Sequence, residues 1–310
     1  MKRILILAAI LAILPFSSSH RNEADPPPAP PSRGELRRSG RYEDLAARRI
    51  YEVRRQADPA TGRIPPGIHR LEQDFAAGLP RSLHDKGLSW ASRGPWNLGG
   101  RTRALAVDIA DPTNHTLLAG GVSGGLWISY DQGANWKLTT GSSKIHNVSC
   151  LVQDTRYGRE RVWYYGTGEG EGYSTKYPQS TFLAGDGIFK SVDGGHSWNV
   201  LAETTGNDPE NPANPWQYIW NMVIDTSPDG QGALYAATWG GIQRSINGGK
   251  NWTHVLGAGG TPATYTDVAV TPSGVVYATL SSDGTTHGVF RSTNGVNWTD
   301  LTPPGYSDYD

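Results

Sequence analysis

The stretch that most narrows what this chain can fold into is Ser129-Tyr-Asp131-Gln-Gly133-Ala-Asn-Trp136, because the sequence repeats it. It returns as Ser191-Val-Asp193-Gly-Gly195-His-Ser-Trp198 and as Ser245-Ile-Asn247-Gly-Gly249-Lys-Asn-Trp252. A fourth copy, one residue shorter, is Ser292-Thr-Asn294-Gly295-Val-Asn-Trp298. Four positions before each serine a glycine opens a short apolar run, at Gly125, Gly187, Gly241 and Gly288. Each copy therefore reads strand, turn, strand. Serine and Asp or Asn side chains accept hydrogen bonds from nearby backbone N–H groups, glycine supplies the positive φ of a tight reversal, and the tryptophan re-enters the core on the next strand. One such unit cannot bury its apolar surface alone, so the four copies have to be read as one stacked array.

Around the first copy, short apolar runs at 103–108, 115–121, 125–130 and 135–140 are divided by Asp111-Pro-Thr-Asn, a Gly-Gly pair and the repeated turn. That is a four-stranded antiparallel unit. The later units follow the same grammar, with first strands at 148–154, 221–225 and 267–270 and second strands at 161–166, 233–238 and 275–280. A content of 39 Gly, 11 Trp and 14 Tyr in 310 residues agrees with an all-β chain rich in turns and aromatics.

The repeat resembles the Asp-box (BNR) motif, S-x-D-x-G-x-x-W, of sialidase-like and sortilin-like β-propellers. In that family the motif forms the turn between the third and fourth strands of a blade, away from the ligand. The run from Trp96 through Arg101 and Arg103 to Asp108, followed by Gly-Gly-Leu-Trp127 and the box, resembles the opening blade of secreted bacterial BNR-repeat proteins often labelled glycosyl hydrolase or sortilin-like. The resemblance spans residues 88–301. It implies an all-β propeller with four recognisable four-stranded blades, in which the sixteen box residues named above are structural. Leu88-Ser-Trp-Ala-Ser-Arg has the pattern of an outermost strand yet precedes the first blade, and only nine residues follow Leu301. The expectation is an incomplete ring, an N-terminal part of a longer gene product.

Upstream, residues 1–19 read as a secretory signal: Lys2 and Arg3, an apolar run over 4–16, then three serines. Thirteen apolar residues are too few to span a bilayer, and no later segment could. The expected location is therefore outside the cell or on the exterior of its envelope, with no membrane span in the mature chain. A proline-rich linker occupies 20–35. Over 36–86 the apolar period turns helical, with Tyr42, Leu45, Ala46, Ile50 and Val53 on one face and, after Pro65-Pro66, Ile68, Leu71, Phe75 and Leu79 on another. The propeller portion is 87–310. Arg63-Ile64-Pro65 matches the Arg-Ile-Pro motif whose arginine holds the substrate carboxylate in sialidases, but it lies between two helical patterns and not in a strand-rich run.

A net charge of -1 with no Lys/Arg run offers no face for nucleic acid. Gly166-Thr-Gly168-Glu169-Gly170-Glu171-Gly172 lacks phosphate-loop spacing, and its two glutamates would repel a phosphate. The eight histidines show no metal-ligand spacing, and nothing calls for a cofactor. Cys150, the single cysteine, sits in an apolar run as a buried thiol.

The resemblance places the ligand face at the beginnings of innermost strands and in the loops joining second to third strands. That selects Arg101, Arg103, His146, Asn147, Tyr218, Asn221, Tyr265 and Asp267, with Glu169, Glu171, Tyr173, Tyr177, Asp186, Trp239, Asp283 and His287 from the loops. Aromatics beside carboxylates and arginines suit a glycan or an extracellular protein. Two functions remain open, a secreted binding module and a glycoside hydrolase. For the second, Glu169 and Glu171 are the catalytic candidates: in extended chain they point the same way, roughly 6.5 to 7 Å apart at the backbone.

Overall fold

The computed structural model describes residues 51, 53–79, 100–141, 147–169, 183–206, 208 and 214–304. The leader, the linker, Leu88-Ser-Trp and the sites proposed at His146, Glu171, Tyr173 and Tyr177 lie outside them. Among the described residues the helix α1 (Ile68–Gly78) precedes sixteen strands. They form four sheets of four, each a simple antiparallel meander. The first sheet is β1 (Thr102–Val107), β2 (Leu117–Gly121), β3 (Gly125–Ser129) and β4 (Lys137–Leu138). The second is β5 (Val148–Gln153), β6 (Trp163–Thr167), β7 (Ile188–Ser191) and β8 (Asn199–Val200). The third is β9 (Ile219–Ile224), β10 (Leu234–Thr238), β11 (Gly241–Ser245) and β12 (Thr253–Leu256), and the fourth is β13 (Thr266–Val270), β14 (Val276–Leu280), β15 (Gly288–Ser292) and β16 (Thr299–Asp300).

The innermost strands stand side by side in chain order, β1 against β5, β5 against β9 and β9 against β13. Three apolar cores fill the spaces between successive blades. Leu118, Leu126, Trp163, Tyr165 and Trp198 join the first pair, Cys150, Ile188, Ile219 and Met222 the second, and Tyr235, Ile242, Val268 and Leu280 the third. Burial along the second strands follows from this order. In the middle blades every residue of β6 and β10 is buried, whereas β14 alternates buried and exposed. A sheet covered on both faces has no polar side to present; one covered on a single face does. On the first blade Leu105 is 70% exposed, and Val107, Trp127 and Leu138 are exposed with it. The fold is thus an incomplete all-β propeller, an arc of four blades whose first and last sheets each keep one open face among the described residues.

The repeated turns explain why the blades stack. In the first, Ser129 Oγ donates to Asp131 Oδ1 at 2.8 Å and accepts from Gly133 N at 2.9 Å, while Asn135 N donates to Asp131 Oδ1 at 2.8 Å. Asn247 and Asn294 replace the aspartate in the third and fourth turns and keep the same bonds, with Ser245 Oγ to Asn247 Oδ1 at 3.0 Å and Ser292 Oγ to Asn294 Oδ1 at 3.2 Å. The four serines are buried. Each later turn also leans on the blade before it. A Cβ added to Gly195 would meet Leu118, one on Gly249 would meet Leu201, and one on Gly295 would meet Tyr235. Trp198 Nε1 reaches back to Thr139 Oγ1 at 2.8 Å. Its counterpart Trp136 departs from the expectation of a core tryptophan, because among the described residues no blade precedes it: Trp136 is 39% exposed against 3% for Trp198.

Candidate functional site

The starts of the four innermost strands line an open cavity of about 460 Å³. Its wall is Arg103, Ala104 and Leu105 from β1, Ser149, Cys150 and Leu151 from β5, Trp220 and Asn221 from β9, and Tyr265, Thr266 and Asp267 from β13 and its lead-in. The size is ordinary for a small-ligand site. Every blade contributes to it because each innermost strand begins at the same end of the axis.

Sequence reasoning named Arg103, Asn221, Tyr265 and Asp267 for this face, and the structure brings these four together around the cavity. Asn221 Nδ2 donates to Asp267 Oδ1 at 2.7 Å, and that oxygen also accepts from Val268 N at 2.8 Å. Tyr265 packs against Trp220 with ring centroids 5.1 Å apart, and Trp220 Nε1 is anchored to the Thr264 carbonyl at 2.9 Å. Trp220 was missed by sequence reasoning, although it directly precedes Asn221 at a strand start. Ser149 and Cys150 were missed as lining because an apolar run conceals which side faces the axis. Burial pushes the Cys150 thiol up to about 12, so it lines the wall as a neutral group.

Glu169 has a definite job. It is 2% exposed, and its neighbours are the two arginines selected with it. Arg103 Nη1 donates to Oε2 at 2.9 Å and to Oε1 at 3.2 Å, and Arg101 Nη2 lies 3.2 Å from Oε2. The backbone of Glu169 pairs with Leu183 in a two-bond bridge, so the long insertion after β6 is closed at its base. Asn147 Nδ2 fastens the same base through the carbonyls of Leu183, at 2.7 Å, and Ala184, at 3.1 Å. Asp186 accepts from Gly206 N at 3.2 Å and pairs with Arg70 of α1. Tyr218 is buried against Trp239, centroids 5.3 Å apart, as part of the packing behind the site. Asp283 is held by Ser281 and Thr264; burial raises its pKa, but these hydrogen bonds outweigh burial and leave it below the usual carboxylate value. Arg63 is exposed and belongs to none of the four sheets.

No protein-family description matches the chain, and no curated protein matches it. Solved structures do. An ancestral GH74 enzyme is 22% identical, with a TM-score of 0.50 over 65% of this chain and 25% of its own. A GH74 xyloglucanase from Xanthomonas campestris is 19% identical, with a TM-score of 0.47 over 65% of this chain and 30% of its own. YCF48 bound to D1 peptide is 18% identical, with a TM-score of 0.39 over 69% of this chain and 58% of its own. At such identities the likeness speaks for the β-propeller fold alone. The chain spans about a quarter of the length of the first of these enzymes.

Proposed function

We propose that the chain is a propeller portion of an exported protein that binds a glycan or an extracellular protein at the mouth of its channel. The observation that supports binding over hydrolysis is the engagement of the carboxylates described at this end. Glu169 is bound by Arg103 and Arg101, Asp186 by Arg70, Asp267 by Asn221 and Asp283 by Ser281 and Thr264. Hydrolysis of a glycoside needs one carboxyl free to give a proton and another placed across the scissile bond. Recognition needs what the cavity offers instead: a guanidinium held in one orientation, an amide, and an indole and phenol at its wall for stacking on a sugar ring or a partner side chain. Glu169 serves this reading as the group that aims Arg103. The aromatics of the insertion, Tyr173 and Tyr177, would add contacts over the mouth.

Glycan-array and hydrolysis assays on the full chain test it. Tyr265→Ala is expected to weaken binding about tenfold, the loss of one aromatic contact of about 1 to 1.5 kcal/mol. Turnover by the wild type that disappears in Glu169→Gln with Glu171→Gln would overturn the binding reading in favour of the hydrolase. Export rests on the charged, apolar and serine-rich first nineteen residues, and no described helix is long and apolar enough to cross a membrane. Mass spectrometry of the extracellular fraction should find an N-terminus near Ser19; intact Met1 in the cytosol would refute it.

A further inference from the structure

A second cleft, about 240 Å³, opens between the second and third blades, remote from the channel cavity and sharing no residue with it. Its floor is Val162, Tyr164, Ile224 and Leu234, and its rim is the loop after β5, Lys190 of β7 and the third repeated turn at Asn247 and Gly248. Arg156 is engaged by the fold through all three of its side-chain nitrogens. Its Nε and Nη2 hold Asp154 at 2.9 and 2.6 Å, and its Nη1 reaches the Gln231 carbonyl at 2.7 Å. With that pair matched, the lining carries two further cations, Arg159 and Lys190, against the single carboxylate of Asp154. Lys190 Nζ donates to the Gly248 carbonyl at 3.2 Å and lies over the Tyr164 ring, 5.1 Å from its centroid.

The third turn makes this imbalance informative. The first two turns carry aspartate at their central position; here the residue is Asn247, which keeps the turn by accepting from Ser245 Oγ and, at 2.9 Å, from Asn251 N. An aspartate would make the same bonds and bring a negative charge to the cleft. Asparagine withholds that charge and brings an amide N–H₂ donor instead. We propose that this cleft binds a tetrahedral oxyanion, a phosphate or sulfate group, with Lys190 and Arg159 supplying charge and Asn247 a hydrogen bond. A partly enclosed cleft strengthens such contacts relative to open water, and both cations suit an oxyanion. The direction of the Lys190 shift agrees: burial first, then the charge of Arg159, lower its pKa, the carboxylate of Asp154 offsets part of this, and Lys250 adds to the lowering.

Calorimetric titration of the full chain at constant ionic strength, in chloride buffer, provides the test. The probes are inorganic phosphate, inorganic sulfate, glucose 6-phosphate and glucose 6-sulfate. Wild type is expected to bind at least one of them, Arg159→Gln about tenfold more weakly, the loss of one charged hydrogen bond. Asn247→Asp is expected to abolish binding while the protein stays folded, since aspartate is the residue of the first two turns. Arg291→Gln on β15 should bind as wild type does. Tighter binding of a sugar ester than of its free ion would identify the occupant as an esterified group, and equal binding a free ion; either supports the site. Undetectable binding of all four probes by wild type, or equal binding by wild type and Asn247→Asp, would overturn the proposal.

Discussion

Trp136 and Trp198 hold the same place in two copies of one motif, and the fold assigns them different costs. Trp198 is 3% exposed; its Nε1 donates to Thr139 Oγ1 at 2.8 Å and to the Gly195 carbonyl at 3.0 Å, and its ring meets Tyr165 edge-on at 4.8 Å. Trp198→Ala removes a whole buried indole from the first inter-blade core, a change that costs about 3 to 5 kcal/mol. Trp136 is 39% exposed, and among the described residues no blade precedes it. Its partial burial stabilises by about 1 to 2 kcal/mol. Urea unfolding followed by circular dichroism should therefore place Trp198→Ala well below Trp136→Ala, with a midpoint difference that reflects about 2 to 3 kcal/mol. Motif chemistry by itself predicts equal losses, because both indoles close the same turn. Equal losses would refute the claim that the open face of the first blade is open in solution, and would mean that something covers it.

Acid unfolding should depend on the second turn. Burial raises the Asp193 pKa, but hydrogen bonds from Ser197, Ser191 and the backbone of residues 196 and 197 outweigh it and hold the carboxyl at about 2, below its ordinary 3.8. A depressed pKa stabilises the fold above the ordinary value, and that stability is lost as pH falls through the folded one. Asp193→Asn, the residue of the third and fourth turns, should flatten the pH dependence of Tm between about 4 and 2; an unchanged slope would refute the assignment. At Gly295 the backbone has φ 69°, and a Cβ would collide with Tyr235 Oη. Gly295→Ala should lower stability by about 2 kcal/mol or more, through a strained conformation and a clash against the preceding blade. A Tm within a degree or so of wild type would refute it.

The fold was legible because its signals are local. The turn residues lie within eight positions, and strand starts expected at 148 and 233 fall at Val148 and Leu234. Strand ends near the box were read too long: β4 is only Lys137–Leu138, since an outermost strand is paired on one side and packs less. The site was half legible. Arg101, Arg103 and Glu169 were chosen independently as facing a ligand, but 66 residues separate Arg103 from Glu169, and no pattern in a single sequence announces that they share an ion pair. The cleft beside Lys190 was invisible for the same reason. Its members come from two blades, and asparagine in place of aspartate at 247, a replacement the fourth turn repeats at 294, reads as a neutral variation until the turn is seen resting on its neighbour.

That resting geometry also gives the molecule a direction of assembly. A sheet pairs only with itself, while each later turn needs the blade made before it: Gly195 against Leu118, Gly249 against Leu201, Gly295 against Tyr235. A chain emerging from its N-terminus can therefore set each repeated turn on a surface already laid down. For a polypeptide growing from its N-terminus, this places the apolar edge at the most recently completed blade. A pause in synthesis would expose one unfinished edge at a time.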